Sequence, residues 1–119
     1  LMGFQQEIPA TVQTRDLSEQ IRGSREKMPS SQLYMFYGAV NETGKNLTTG
    51  ARGVRTLQYT YVVRYKDGVI TDEYLFDRKA DPFELDNIAG KHPELIRQLR
   101  AELKQRMETV HDPAFTVLK

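Results

Sequence analysis

Residues 57–66 read LQYTYVVRYK, and they alternate. Leu57, Tyr59, Tyr61, Val63 and Tyr65 share one parity; Gln58, Thr60 and Arg64 share the other. A repeat of two is that of a strand with one covered and one open face. Lys66-Asp67-Gly68 follows, a turn in which glycine takes positive φ without steric cost. VITDEYLFD (69–77) then reads as the returning strand. A hairpin of 57–66 with 69–77 is the tightest constraint the sequence sets, and its tyrosine-lined parity needs a cover.

The cover is predicted further on. HPELIRQLRAELKQRMETVHD (92–112) places Leu95, Leu99, Leu103 and Met107 four residues apart, with Ile96 and Val110 widening the stripe. That is one face of a helix. Pro93 suits its first position, where a missing N–H costs nothing, Glu94 suits its dipole, and Pro113 ends it. Upstream, QLYMFYGAV (32–40) is apolar on both parities and reads as a central strand, NETGKNLTTGA (41–51) as a long turn, and RGVRT as a further strand-like run. The tail AFTVLK (114–119) reads as a short strand or a trailing end. Residues 1–32 are weakly periodic, with one short helix expected over 17–22 behind Asp16. Strands followed by a helix make an α+β domain. The expected architecture is an antiparallel sheet of about four strands packed against a long C-terminal helix. The tyrosine parity faces that helix, and Leu99 and Leu103 sit mid-core.

Composition excludes several functions. The chain has 119 residues, enough for one modest domain. Its net charge of +1 provides no basic surplus for nucleic acid or an anionic membrane. It has no cysteine, hence no disulfide, thiolate metal site or cysteine nucleophile. No apolar run approaches the ~20 residues of a membrane span, and LMGFQQEIPATV lacks a signal-peptide pattern.

DPFELDNIAG (81–90) joins the hairpin to the helix and holds three carboxylates in six residues. Their spacing does not match an EF-hand loop. A structural reading uses every residue. Asp81 accepts bonds from N–H groups two or three residues on, and Glu84 sits at capping-box spacing. Leu85 and Ile88 share a patch on one helical turn, Asn87 bridges neighbouring backbone groups, and Gly90 stops the turn in a left-handed conformation. His92 is placed to cap the helix and His111 to meet its C-terminal dipole, which forms neither a metal site nor a base–nucleophile pair. Asn41 and Asn46 lie in glycosylation sequons, which arise often by chance.

YLFDRKADPFELDNIAG resembles the C-terminal signature of type I sulfatases, the formylglycine-dependent enzymes of the alkaline-phosphatase-like superfamily. Leu75, Asp77, Asp81, Pro82, Glu84, Asn87 and Ala89 match it; Tyr74, Phe76, Arg78 and Ile88 depart. RGVRTLQYTYVVRY is similar to the family's paired strands, with Thr60 where lysine is usual. LMGFQQEIPATVQTRDLS resembles the stretch closing the catalytic domain. The resemblance implies that 1–30 are the tail of a preceding catalytic domain and a linker, and 31–119 the C-terminal subdomain. It implies a nucleophile and a calcium ion in that catalytic domain, no cofactor in this piece, no hydrolysis by it alone, and a periplasmic or secreted parent. The family's short antiparallel sheet with a terminal helix agrees with the architecture argued above.

By the same resemblance, a loop of this subdomain borders the substrate pocket. The candidates are Lys45, Asn46 and Arg52 of the 41–52 loop, with arginine apt because its planar fork matches sulfate oxygens. Arg55, within a strand-like run, is expected to pair with a connector carboxylate or to lie on the domain interface. Tyr59, Tyr61 and Tyr65 read as core rather than as sugar-stacking platforms. Three functions compete: part of a sulfatase acting on sulfated glycans, a stand-alone carbohydrate- or protein-binding module, or a structural lid. The expected partner is the chain's own N-terminal catalytic domain, with self-association possible through LYMFY and Leu1, Met2 and Phe4.

Overall fold

The computed structural model describes residues 21–23, 29–37 and 49–118. Strands β1 (Ser31–Tyr37), β2 (Gly50–Thr56), β3 (Tyr59–Lys66) and β4 (Val69–Asp77) form one antiparallel sheet in sequence order. Helix α1 (Pro93–Thr109) lies on one face. The α+β architecture, the number of strands and the terminal helix agree with the sequence. The short helix expected over 17–22 falls almost wholly outside the described residues, as do most of residues 1–30 and most of the 41–51 loop.

Two tight turns set the register. At the β3–β4 turn both Asp67 (φ 52°) and Gly68 (φ 75°) take positive φ, the requirement of a two-residue turn whose twist matches the strands. A bulge follows: Arg64 pairs with Asp72 but Tyr65 with Ile70. The extra residue, Thr71, turns Ile70 toward the core and leaves Val69 exposed. At the β2–β3 turn the Thr56 hydroxyl oxygen accepts the backbone N–H groups of Gln58 (3.2 Å) and Tyr59 (2.8 Å). Leu57 therefore leaves the strand and is 89% exposed, although its parity had assigned it to the core. Alternation holds only inside a ladder, and a side-chain-capped turn ends this one at Tyr59.

The core is the predicted pairing of tyrosine parity and leucine stripe. Tyr61, Val63 and Tyr65 of β3, Val54 of β2 and Leu75 of β4 meet Leu99, Leu103 and Met107 of α1. Each fully buried aliphatic side chain contributes about 1.5–3 kcal/mol. Val110 lies just beyond the helix and is 41% exposed, so the stripe ends at Met107. Residues 113–118 form a 3-10 helix rather than a strand, and Ala114 and Leu118 seal the core. Strand β1 lies at the sheet edge, not its centre. Its double-sided apolarity is instead divided: Leu33 packs on the core, while Tyr34 is half exposed on the opposite face.

Candidate functional site

The connector carboxylates serve the main chain. The Asp77 carboxylate accepts the N–H groups of Lys79 (2.9 Å) and Ala80 (3.3 Å) and the Gln58 amide (3.0 Å). The Gln58 bond first, and these backbone bonds, hold its carboxyl below the usual value. Asp81 Oδ2 accepts the N–H groups of Leu85 (2.6 Å) and Asp86 (2.8 Å). The function is the expected one, but it reaches four and five residues on instead of two or three. The reason is that Glu84 adopts φ 55°, which breaks the helical turn foreseen here. Glu84 consequently does not close a capping box. It accepts the Thr60 hydroxyl at 2.7 Å and lies 3.6 Å from Arg78 Nε, tying the connector to β3. Leu85, 84% exposed, is thrown out of the patch that Ile88 keeps against the core.

Asn87 is the main staple. Its Oδ1 accepts the N–H of Leu75 (2.9 Å) and of Ala89 (3.1 Å), and its Nδ2 donates to the Glu73 carbonyl (3.1 Å). One side chain thus extends β4 sideways into the connector. Gly90 sits within a 3-10 turn, Ala89–Lys91, and is not left-handed. His92 precedes α1 without a side-chain capping bond; its carbonyl accepts Ile96 N–H instead.

Two polar clusters, one buried and one partly exposed, hold the helical layer to the sheet. Arg52, placed by the sequence reading in a substrate loop, lies in β2 with its side chain fully buried. Its guanidinium donates from Nε and Nη2 to the two oxygens of Asp112, the latter bond 3.1 Å long, and from Nη1 to the Ala51 carbonyl. It also lies 5.7 Å above the Tyr65 ring. The planar fork is used as foreseen, but on an internal carboxylate. The second cluster joins Tyr61, Glu73 and Arg100. Glu73 accepts from the Tyr61 hydroxyl and, at 2.6 Å, from Arg100. Burial pushes the Glu73 carboxyl up, but the bonds from Arg100 and Tyr61 together outweigh it and hold the group below its usual range. Burial, then the bond to Glu73, raises the Tyr61 hydroxyl.

The face opposite α1 is different. Tyr34, Gly53, Val62 and Tyr74 pair in one row across all four strands. At its centre a Cβ on Gly53 would come within 2.5 Å of the Tyr61 carbonyl oxygen, so this position stays bare. The result is a shallow depression of about 510 Å³ bordered by Tyr34, Tyr74, Phe76, Arg55 and Glu84. Arg55 is exposed, and none of the ion pairs among the described residues includes it. The connector carboxylate expected for it is taken by Arg78 and Thr60. Among the described residues no group of three or more His, Asp or Glu is arranged to hold a metal ion.

This sheet, helix and connector have known counterparts. The family model for the C-terminal part of N-sulphoglucosamine sulphohydrolase matches residues 2–112. The chain belongs to this family of sulfatase C-terminal domains. Chicken arylsulfatase K is 40% identical over 78 residues, covering 66% of the chain and 13% of that protein. A solved structure of yidJ, a proposed sulfatase of Bacteroides fragilis, is 41% identical with a TM-score of 0.82, over 99% of this chain and 24% of that one. A second, a proposed sulfatase of Bacteroides thetaiotaomicron, is 27% identical with a TM-score of 0.69, over 88% and 22%. The chain thus spans about an eighth of the curated relative and about a quarter of the solved ones.

Within the sulfatase C-terminal domain the residues named from sequence separate into groups. Asp81, Glu84 and Asn87 converge on the connector and on β3 and β4. Arg52 belongs to the core of the domain. Lys45 and Asn46 fall outside the described residues. Two partners went unrecognised. Asp112 was named only as the last residue of the helix expected over 92–112, and Glu73 only as part of the returning strand 69–77. A signal for Glu73 did exist: with the ladder register it lies beside Leu75 on the core parity, where a charge needs a partner.

Among the described residues no helix is long and apolar enough to cross a membrane.

Proposed function

We propose that this domain completes a sulfuric ester hydrolase acting on sulfated glycans. In this reading residues 1–30 lead out of the catalytic domain and 31–119 form the C-terminal subdomain. The formylglycine nucleophile and calcium reside in the catalytic domain, and the parent works outside the cytoplasm. The observation that carries the reading is the match of nearly the whole chain, in one fold and at 41% identity, to about a quarter of a proposed sulfatase, together with the match to a sulfatase C-terminal family model. The family's named substrate, a sulphated glucosamine, supplies the substrate class. The connector's Asp81, Glu84 and Asn87 bond to main-chain groups and to β3, which suits a supporting role.

The stretch before β2 is where this domain reaches the substrate, through Lys45 and Asn46; Arg52, named with them from the sequence, is withdrawn because it lies in β2 with its side chain on Asp112. The test is sulfate release from sulfated glucosamine saccharides by the parent protein. Lys45→Ala raises KM by roughly five-fold or more, the loss of one charge-assisted contact, and leaves thermal stability unchanged. No sulfate release from sulfated glucosamine saccharides by the parent, or sulfate release by the 119 residues alone, would overturn the proposal.

A further inference from the structure

Stability does not by itself account for the Arg52–Asp112 pair. Replacing a buried ion pair by apolar side chains of similar volume is often neutral or stabilising. What the pair adds is direction, because a planar fork on a carboxylate accepts one geometry and an apolar contact accepts many. Both side chains are buried, at 0% and 1% exposed. Asp112 is itself fixed: its N–H donates to the Met107 carbonyl (2.9 Å), its carbonyl accepts the Phe115 N–H (3.0 Å) and its Oδ1 accepts the Ala114 N–H (2.9 Å). From that anchor the fork reaches back to the sheet. Arg52 donates from Nη2 to Asp112 at 3.1 Å and from Nη1 to the Ala51 carbonyl at 2.9 Å, so it holds the main chain of β2 as well as its own side chain.

The pair sits at one end of the sheet. Arg52 is the third residue of β2 and shares a face with Gly50, the first, which has no side chain. Its guanidinium lies over the ring of Tyr65, the residue paired with Gly50. On its other side Gly50 pairs with Tyr37, the last residue of β1. Residues 38–49 join these two strands and carry Lys45 and Asn46. We infer that Arg52 and Asp112 are positioning residues for substrate binding: the pair fixes where residues 38–49 enter β2, and through it where Lys45 and Asn46 meet a sulfated saccharide. The inference rests on the proposed function, which assigns those two residues to the substrate. It makes the turn after α1 a determinant of affinity that touches no substrate.

Kinetics of the parent protein on sulfated glucosamine saccharides test this. Arg52→Met/Asp112→Ala leaves no unpaired charge in the core, so the domain keeps its fold without the fork. KM rises by about five-fold or more, as for Lys45→Ala, while kcat stays within about two-fold, the pattern of lost binding rather than lost chemistry. Arg52→Lys, which keeps the charge without the planar fork, raises KM in the same direction. Added to Lys45→Ala, the paired substitution brings little further rise, because it acts through a contact already removed. Asn87→Ala, which loosens the connector along β4 instead, leaves KM unchanged. A parent-like KM in either Arg52 variant overturns the inference, and so does an equal rise in Asn87→Ala or full additivity with Lys45→Ala. Hydrogen exchange separates the two proposals. In Arg52→Met/Asp112→Ala the amides of Gly50, Ala51 and Arg52 exchange about ten-fold faster or more, by easier local opening, and those of Tyr74 and Phe76 keep their rates. Unchanged exchange at the start of β2 overturns the inference. A parent that releases no sulfate sinks the proposed function, while the exchange comparison still decides whether the pair holds this end of the sheet.

Discussion

Asp112→Ala removes the carboxylate from a pair whose side chains are 0% and 1% exposed. The Arg52 guanidinium then stays buried, without the two bonds to Asp112 that offset its desolvation. Breaking a buried pair in this way costs about 3–5 kcal/mol. Asp112 Oδ1 also accepts Ala114 N–H at 2.9 Å, and losing that acceptor adds about 1 kcal/mol. Against a total stability of about 5–15 kcal/mol for a small domain, the substitution removes about a quarter or more. Urea unfolding of the 119-residue chain, followed by far-ultraviolet circular dichroism, reads the change. With a slope of about 1–3 kcal/mol per molar urea, the midpoint falls by more than about 1 M. Arg52→Met in the same background takes the charge out of the core, so the double variant is more stable than Asp112→Ala alone. The reasoning is refuted if Asp112→Ala costs less than about 1 kcal/mol, the value of an exposed ion pair, or if Arg52→Met brings no recovery.

Leu103→Ala, at a fully buried mid-helix position, costs about 2–5 kcal/mol in the same titration, whereas Leu85→Ala, on the exposed connector, stays within about 0.5 kcal/mol. Asn87→Ala strips the acceptor from Leu75 and Ala89 and the donor from Glu73; it costs about 1–3 kcal/mol and speeds hydrogen exchange at the Leu75 amide ahead of β3. Glu73 has a depressed folded-state pKa. Its stabilisation is therefore complete above the ordinary glutamate value of about 4.3 and is lost as pH falls through the lower folded value. Glu73→Gln flattens that acid limb in a pH series of urea midpoints, and an unchanged limb would remove Glu73 from the account.

What was legible in the sequence followed local physics. Alternation over 59–65, the Asp67-Gly68 turn, the leucine stripe and Pro93 each act within a few residues, and each is where it was read. Where the reading failed, a distant partner or a local strain intervened. Leu57 lost its place in the core because Thr56 bonds two backbone groups ahead of it. Glu84 lost its capping role because a positive φ aims its carboxylate at Thr60, 24 residues earlier. Arg52 was read as a surface sulfate ligand because its fork suits an anion. The anion it meets is Asp112, 60 residues away, and no local period encodes that separation.

The same two clusters also fix the shape of the open face. Arg52 with Asp112 pins the last turn to β2, and Arg100 with Glu73 and Tyr61 pins α1 to β3 and β4. Each strand so pinned alternates its side chains. Fixing Arg52, Tyr61 and Glu73 on one face therefore fixes Gly53, Val62 and Tyr74 on the other, in the single row that forms the trough. The charges that look functional in the sequence hold the platform, and the residues that look like ordinary strand filler are the ones presented outward.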